Sequence, residues 1–293
     1  MIEIKDLYKT FGNVEAVNHL DVTFTPGVTG LVGVNGSGKS TLLRCISGIY
    51  SADSGEVKID DIPATEIEAK RKVFFLSDDP YAPRGASVDG IFELYNALFE
   101  INKEKYLEII ERFNLPRKRS VSTFSKGMRR QVFIALALAM KAEHLLLDEA
   151  FDGLDPLVVD TIKGEVLASA MEGKTIIISS HNIYALQHIV DRFVILSSGK
   201  IAETMETDEM GERFIKYQAA FPMPVNEGNL TALGFKVLSF RAVGSVIHFV
   251  IVGDDSSKTL IEDSLHPILL EKVELGAEEV VALEMRLARE EER

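Results

Sequence analysis

Gly33-Val34-Asn35-Gly36-Ser37-Gly38-Lys39-Ser40 satisfies the spacing G-x-x-x-x-G-K-[ST]; a short apolar run at 28–34 leads into it, and helical spacing resumes at 41–46. These residue types suit one task, the cradling of an oxyanion. Glycines let successive backbone N–H groups converge on phosphate oxygens, where a Cβ would block the approach or the required backbone angles. A helix starting near Lys39 adds the positive end of its dipole. Lys39 offers a point charge to the β- and γ-phosphates, and Ser40 offers a hydroxyl to Mg²⁺. Gly33, Asn35, Gly36, Ser37, Gly38 and Thr41 complete the candidate nucleotide-binding set.

Around this loop, short apolar runs alternate with helical spacing. Strands are expected at 2–5, 17–25, 28–34, 56–60, 73–76, 144–147, 175–179 and 193–197, and Gly12-Asn13 reads as a turn. Apolar residues recur at helical spacing from 88 to 113, until Pro116, and again at 127–141 and 157–171. Short buried strands separated by helices predict a largely parallel α/β sheet. Pro222, Pro224 and Gly228 interrupt the pattern, so a linker is expected at 219–229. Beyond it, strands at 236–240 and 245–252 and helices at 257–265 and 278–289 predict a small α+β domain at 230–293.

The chain has 293 residues and a formal net charge of −13, a balance that argues against nucleic acid as a partner. The Arg117-Lys118-Arg119 cluster reads as a solvated loop. Cys45 is the only cysteine, so no intrachain disulfide forms, and its neighbours Leu42, Leu43 and Ile46 predict a buried thiol. No apolar run approaches the roughly 20 residues that cross a bilayer. The N-terminal residues lack the apolar core of a secretory signal, and a cytosolic setting is expected.

Two further clusters carry chemistry. His144-Leu145-Leu146-Leu147-Asp148-Glu149 is an apolar strand ending in two acids. At the end of a parallel strand such carboxylates face the edge where α/β proteins bind ligands. Asp148 is placed to hold Mg²⁺, and Glu149 to orient and deprotonate an attacking water. His181 follows the strand at 175–179 and is a candidate for contact with a γ-phosphate.

In this order, the motifs resemble the ATP-binding subunit of an ABC transporter over residues 1–215. The phosphate loop stands at 33–40, the strand acids at Asp148 and Glu149, the D-loop at Gly153-Leu154-Asp155 and the switch histidine at His181. Between them, Phe124-Ser125-Lys126-Gly127-Met128 takes the place of the family's signature loop. Ser125 and Gly127 keep its hydroxyl and its close backbone approach, while Lys126 replaces the first glycine. This Ser-Lys-Gly-Met form is similar to that of drug- and lantibiotic-type exporters. The Q-loop glutamine, expected after the strand at 73–76, is replaced near Asp78, an acid that could reach Mg²⁺ or water. Phe11 fits the aromatic that stacks on adenine, with Tyr8 as the rival.

The resemblance implies a P-loop NTPase fold of ABC type over 1–218. It combines a mostly parallel sheet, an antiparallel β subdomain and a helical subdomain at about 80–140. It also implies two such subunits sandwiching two ATP molecules. Each site would join Lys39, Ser40, Asp148, Glu149 and His181 of one chain to Ser125, Gly127 and Asp155 of the partner subunit. The implied partners are a second ATP-binding subunit and a transmembrane permease, which would hold the chain at the inner face of the cell membrane. Two alternatives stay open: an ABC-type ATPase acting away from a permease, and a slowly hydrolysing nucleotide sensor suggested by Asp78.

Overall fold

The computed structural model describes residues 1–207, 213–254 and 256–291, in two compact units, Met1–Thr207 and Asp208–Arg293. The first unit opens with β1 (Ile2–Phe11) and β2 (Val14–Phe24), which pair antiparallel across the Gly12-Asn13 turn. Sequence alternation ends at Lys5, yet β1 continues to Phe11. Asp6 has φ of 49° and the pairing register shifts between Ile4 and Leu7. Such a bulge reverses the inward and outward faces, so a continuous strand reads as two pieces.

β3 (Gly27–Val32) follows, then α1 (Lys39–Ile46), β4 (Ser54–Ile59), β5 (Ile62–Pro63), α2 (Ile67–Lys72) and β6 (Val73–Leu76). Next come α3 (Val88–Asn96), α4 (Lys103–Arg112), α5 (Lys126–Ala139), β7 (His144–Asp148), α6 (Pro156–Met171) and β8 (Thr175–Ser180). α7 (Ile183–Leu186), β9 (Arg192–Ser197) and β10 (Lys200–Glu206) complete the unit.

One sheet has the order β2-β1-β4-β5, and its β1 pairings with β2 and β4 and β4 pairing with β5 are antiparallel. The other has the order β10-β9-β3-β8-β7-β6, parallel throughout except for the β9–β10 pair. The mixed α/β architecture expected from the sequence is therefore present. Its parallel strands are apolar along their whole length because both faces are covered, as in the fully buried Leu145, Leu146 and Leu147 of β7. Ile2, Leu31, Leu42, Leu43, Leu146, Ile177 and Val194 share one core, which joins the two sheets through α1. Each such side chain contributes about 1.5–3 kcal/mol by leaving water. Cys45 is buried in that core, and burial pushes its thiol up to about 11.

The helical reading of 88–113 needs a correction. α3 ends at Asn96, and Asn102 caps α4 by accepting a hydrogen bond from the Lys105 N–H at 3.1 Å. Ile101 bridges to Met140 between them, which draws the chain out of helical geometry. Leu94 and Leu98, expected on the apolar stripe, are 42% and 74% exposed.

The second unit runs β11 (Phe214–Ala220), α8 (Glu227–Ala232), β12 (Lys236–Val243), β13 (Val246–Val252), α9 (Ser256–Leu265), β14 (Leu269–Val273) and α10 (Ala277–Glu291). Its strands take the order β12-β13-β11-β14, all antiparallel. This is a split β-α-β-β-α-β arrangement of ferredoxin-like type, followed by one more helix. Tyr217, Phe249, Leu230, Ile251 and Ile261 form its separate core. The linker expected at 219–229 thus lies inside this unit. Its prolines mark the turn from β11 to α8, and the division between units falls at Thr207.

Candidate functional site

Strands β3, β7 and β8 run in parallel register, so the segments that leave their C-terminal ends meet at one edge. From β3 comes the loop to α1. Gly38 has φ of +107°, and a Cβ there would stand 2.2 Å from the carbonyl oxygen of Ala16. Only glycine satisfies both constraints. Val34, Asn35 and Gly36 are exposed at the loop's crest, Ser37 is buried beneath them, and Thr41 lies in the first turn of α1.

Lys39 is buried, and its ammonium donates to the carbonyl oxygens of Gly33 at 2.7 Å and Val34 at 3.3 Å. It also lies 3.6 Å from Oε1 of Glu149. The Ser40 hydroxyl donates to Oδ1 of Asp148 at 3.1 Å, and the Ser179 hydroxyl to the same oxygen at 2.6 Å. Oδ2 of Asp148 and Oγ of Ser37 are buried, with no hydrogen-bond partner among the described residues. A buried carboxylate oxygen without a donor, beside a serine hydroxyl, fits a hard divalent cation such as Mg²⁺.

Glu149 turns the chain sharply, with φ of 48°. Such a conformation costs a non-glycine residue about 1–3 kcal/mol, and the surroundings must hold it. Its N–H donates to both the carbonyl and the hydroxyl oxygen of Ser179, at 3.1 Å and 2.9 Å. Its Oε2 accepts from the His181 backbone N–H at 3.3 Å and lies 2.9 Å from His181 Nδ1. Nε2 of His181 lies 3.7 Å from Oδ1 of Asp152. The Glu149 carboxylate is therefore held between Lys39 and His181 at the mouth of the phosphate loop. Such an arrangement can polarise a phosphoryl group and accept a proton from water.

Lys39, Ser40, Asp148, Glu149 and His181 are thus brought together at one strand edge. Ser125 and Asp155 serve as helix caps. Ser125 Oγ accepts from the Met128 N–H at 3.2 Å at the start of α5, and Asp155 Oδ1 from the Leu157 N–H at 2.9 Å at the start of α6. A Cβ on Gly127 would come 3.1 Å from the carbonyl oxygen of Gly153, so the first turn of α5 lies against the turn before α6. Phe11 is 47% exposed, edge-on to Tyr50, with the Lys9 ammonium 5.5 Å from its centroid. Asp53 braces the same strand end through Lys9 and Thr10, and these bonds hold its carboxyl down at about 2. The rival Tyr8 stacks on His19 and donates to Glu15, which engages its ring and its hydroxyl.

Asp78 is the departure. Its carboxylate, expected to reach Mg²⁺ or water, is engaged by the guanidinium of Arg130. Arg130 and Ser179 are both central to the site and both escaped the sequence reading. Arg130 sits at helical spacing with the buried Phe133, Ile134 and Ala137, so an arginine on the apolar face of α5 was the available signal. Ser179 looks like the end of an apolar strand, and nothing in its neighbours marks it.

A family model described as ABC transporter matches residues 17–152. The ABC transporter ATP-binding protein YtrB of Bacillus subtilis is 26% identical over 289 residues, which cover 96% of each chain. The bacitracin transport ATP-binding protein BcrA of Bacillus licheniformis is 32% identical and covers 74% of this chain and 73% of its own. Among solved structures, a dimeric post-hydrolysis state of the ATP-binding cassette MJ0796, with ADP and Pi, is 22% identical with a TM-score of 0.62. That match covers 70% of this chain and 98% of the other.

Proposed function

Because the chain belongs to the ATP-binding subunits of ABC transporters, we propose that it hydrolyses ATP at the edge of β3, β7 and β8 to drive an exporter through a separate permease. The observation that carries the reading is the convergence of Lys39, Ser40, Asp148, Glu149 and His181 at one strand edge. The exporter assignment is supported by the Ser-Lys-Gly-Met signature, and relatives such as the bacitracin transport protein support the coupling to transport.

In the proposed mechanism, the backbone of 33–38 and Lys39 hold the β- and γ-phosphates, and Phe11 stacks on the adenine. Ser40 and Asp148 would hold Mg²⁺, which supplies charge neutralisation at the phosphate oxygens. Glu149 orients a water and accepts its proton as the water oxygen bonds to the γ-phosphorus. The bond from that phosphorus to the bridging oxygen breaks, which leaves ADP and inorganic phosphate. His181 keeps the Glu149 carboxylate aimed and faces the γ-phosphate.

Two such subunits close head to tail on two ATP molecules. Ser125, Gly127 and Asp155 of the partner subunit then complete each site, since the α5 N-terminus favours an anion. Hydrolysis removes the γ-phosphate contacts and lets the pair open. The permease would dock on the helical segment at 80–140, where Tyr81, Leu94 and Leu98 expose apolar surface at 76%, 42% and 74%. No helix among the described residues is long and apolar enough to cross a membrane. Attachment at the inner face of the cell membrane would run through the permease.

Glu149→Gln keeps the size of the side chain and an acceptor for His181, but removes the base. The expected outcome is a loss of turnover of about 100-fold or more, with ATP-bound dimer accumulating in size-exclusion chromatography. Hydrolysis at the parental rate would remove Glu149 from this role.

A further inference from the structure

Arg130 is one of the most buried charged groups of the chain, with a side chain 4% exposed, and its guanidinium ties three separate segments together. Nη1 donates to the carbonyl oxygens of Glu149 at 2.8 Å and Asp152 at 2.7 Å. Nη2 donates to the carbonyl oxygen of Asp78 at 2.6 Å and to its carboxylate. Glu149 is thus fixed through its N–H by Ser179 and through its carbonyl by Arg130. This is the over-determination that a left-handed φ at a non-glycine residue needs. A lysine cannot substitute, because a single ammonium does not span four acceptors in one plane as a guanidinium does. The same helix, α5, is capped by Ser125 and carries Gly127 in its first turn.

We infer that Arg130 is a positioning residue for hydrolysis and that Asp78 is its counter-charge, so that the loop after β6 and the peptide plane of Glu149 are set by one ion pair whose cation is buried. Asp78, half-exposed beside a nearly inaccessible guanidinium, leaves that cation uncompensated if it is neutralised. Displacement of the 78–80 segment, which lies between the parallel sheet and the helical segment, then frees the guanidinium that holds the Glu149 carbonyl. The inference rests on Glu149 as the base. It extends that reading by naming what aims the base and which loop reports to it.

The test is a double-mutant cycle on the full chain in a steady-state ATPase assay, with Arg130→Gln, Asp78→Asn and the double variant. Arg130→Gln is expected to lower kcat by about 10- to 100-fold, as small misplacements of a reacting group do. KM for ATP should stay within about twofold, because Lys39 and the phosphate loop are untouched. Asp78→Asn should also lower kcat. The double variant should lose at least about fivefold less than the product of the two single losses, since the pair acts as a unit.

Additive losses would overturn the inference, as would a KM that rises in step with the fall in kcat. If Arg130→Gln does not fold, Arg130→Lys replaces it in the cycle with the same criteria. Glu149→Gln, assayed alongside, separates the two claims. An inactive Glu149→Gln with an additive cycle sinks only the role of Arg130. A fully active Glu149→Gln sinks the base itself.

Discussion

Removal of the Ser179 hydroxyl tests the geometry of the two acids without touching either. Its Oγ donates to Asp148 Oδ1 at 2.6 Å and accepts from the Glu149 N–H at 2.9 Å, and the residue is fully buried. In Ser179→Ala both partners keep a second bond: Asp148 Oδ1 still accepts from Ser40, and the Glu149 N–H still reaches the Ser179 carbonyl. No buried group is orphaned, so the loss is that of the bonds themselves. A bond to a carboxylate is worth about 1.5–3 kcal/mol and a neutral one about 1 kcal/mol, together about 2.5–4 kcal/mol. For a unit of the size of Met1–Thr207, that lowers Tm by roughly 5–15 °C. With one donor gone, Asp148 Oδ1 also loses its orientation toward Ser40. The Mg²⁺ concentration for half-maximal ATPase activity should therefore rise. Differential scanning fluorimetry and a Mg²⁺ titration at saturating ATP read the two effects. A Tm within about 1 °C of the parent, together with an unchanged Mg²⁺ requirement, would refute the assignment of Ser179 as the brace between the acids.

Two further outcomes are expected. Phe11→Ala should raise KM for ATP by roughly 3- to 10-fold with kcat nearly unchanged, since stacking is worth about 0.5–1.5 kcal/mol; a normal KM for ATP would return the adenine contact to Tyr8. His144 is buried with its Nε2 3.0 Å from Asp60 Oδ2, and its Nδ1 has no partner among the described residues. Burial holds the imidazole below its ordinary value, against the opposing pull of Asp60. The folded state therefore binds fewer protons here than the unfolded chain does. Its stability is fully present above about pH 6.5 and declines as pH falls below that. His144→Gln keeps a donor for Asp60 and removes the titration, so its Tm should fall less than the parent's between about pH 7 and about pH 5; an equal fall would place the acid sensitivity elsewhere.

What could be read from the sequence was what is local. The phosphate loop and the acids that end β7 are each defined by residues within a few positions of one another. The strands β3, β7 and β8 were legible because burial on both faces makes them continuously apolar. β10 and β14 were not, being edge strands with polar residues such as Glu203, Glu271 and Lys272. The grip of Arg130 on Asp78 crosses 52 positions and that of Ser179 on Asp148 crosses 31, and no spacing rule spans such distances. Asp78 therefore read as a ligand in waiting, when its carboxylate already has a cation against it.

The placement of β11 bears on how the protein can be cut. β11 is an interior strand, paired on one side with β13 and on the other with β14. A truncation at Pro222, where the prolines invite one, would discard both neighbours and retain Phe214–Ala220 with two bare edges. Phe214, Ile215 and Tyr217, all buried in the intact fold, would then face water. An apolar strand with unpaired N–H and C=O groups on both sides is a template for aggregation. A cut after Thr207 removes the strand with its sheet, so aggregation through the bare edges of β11 is expected of the longer fragment and not of the shorter one.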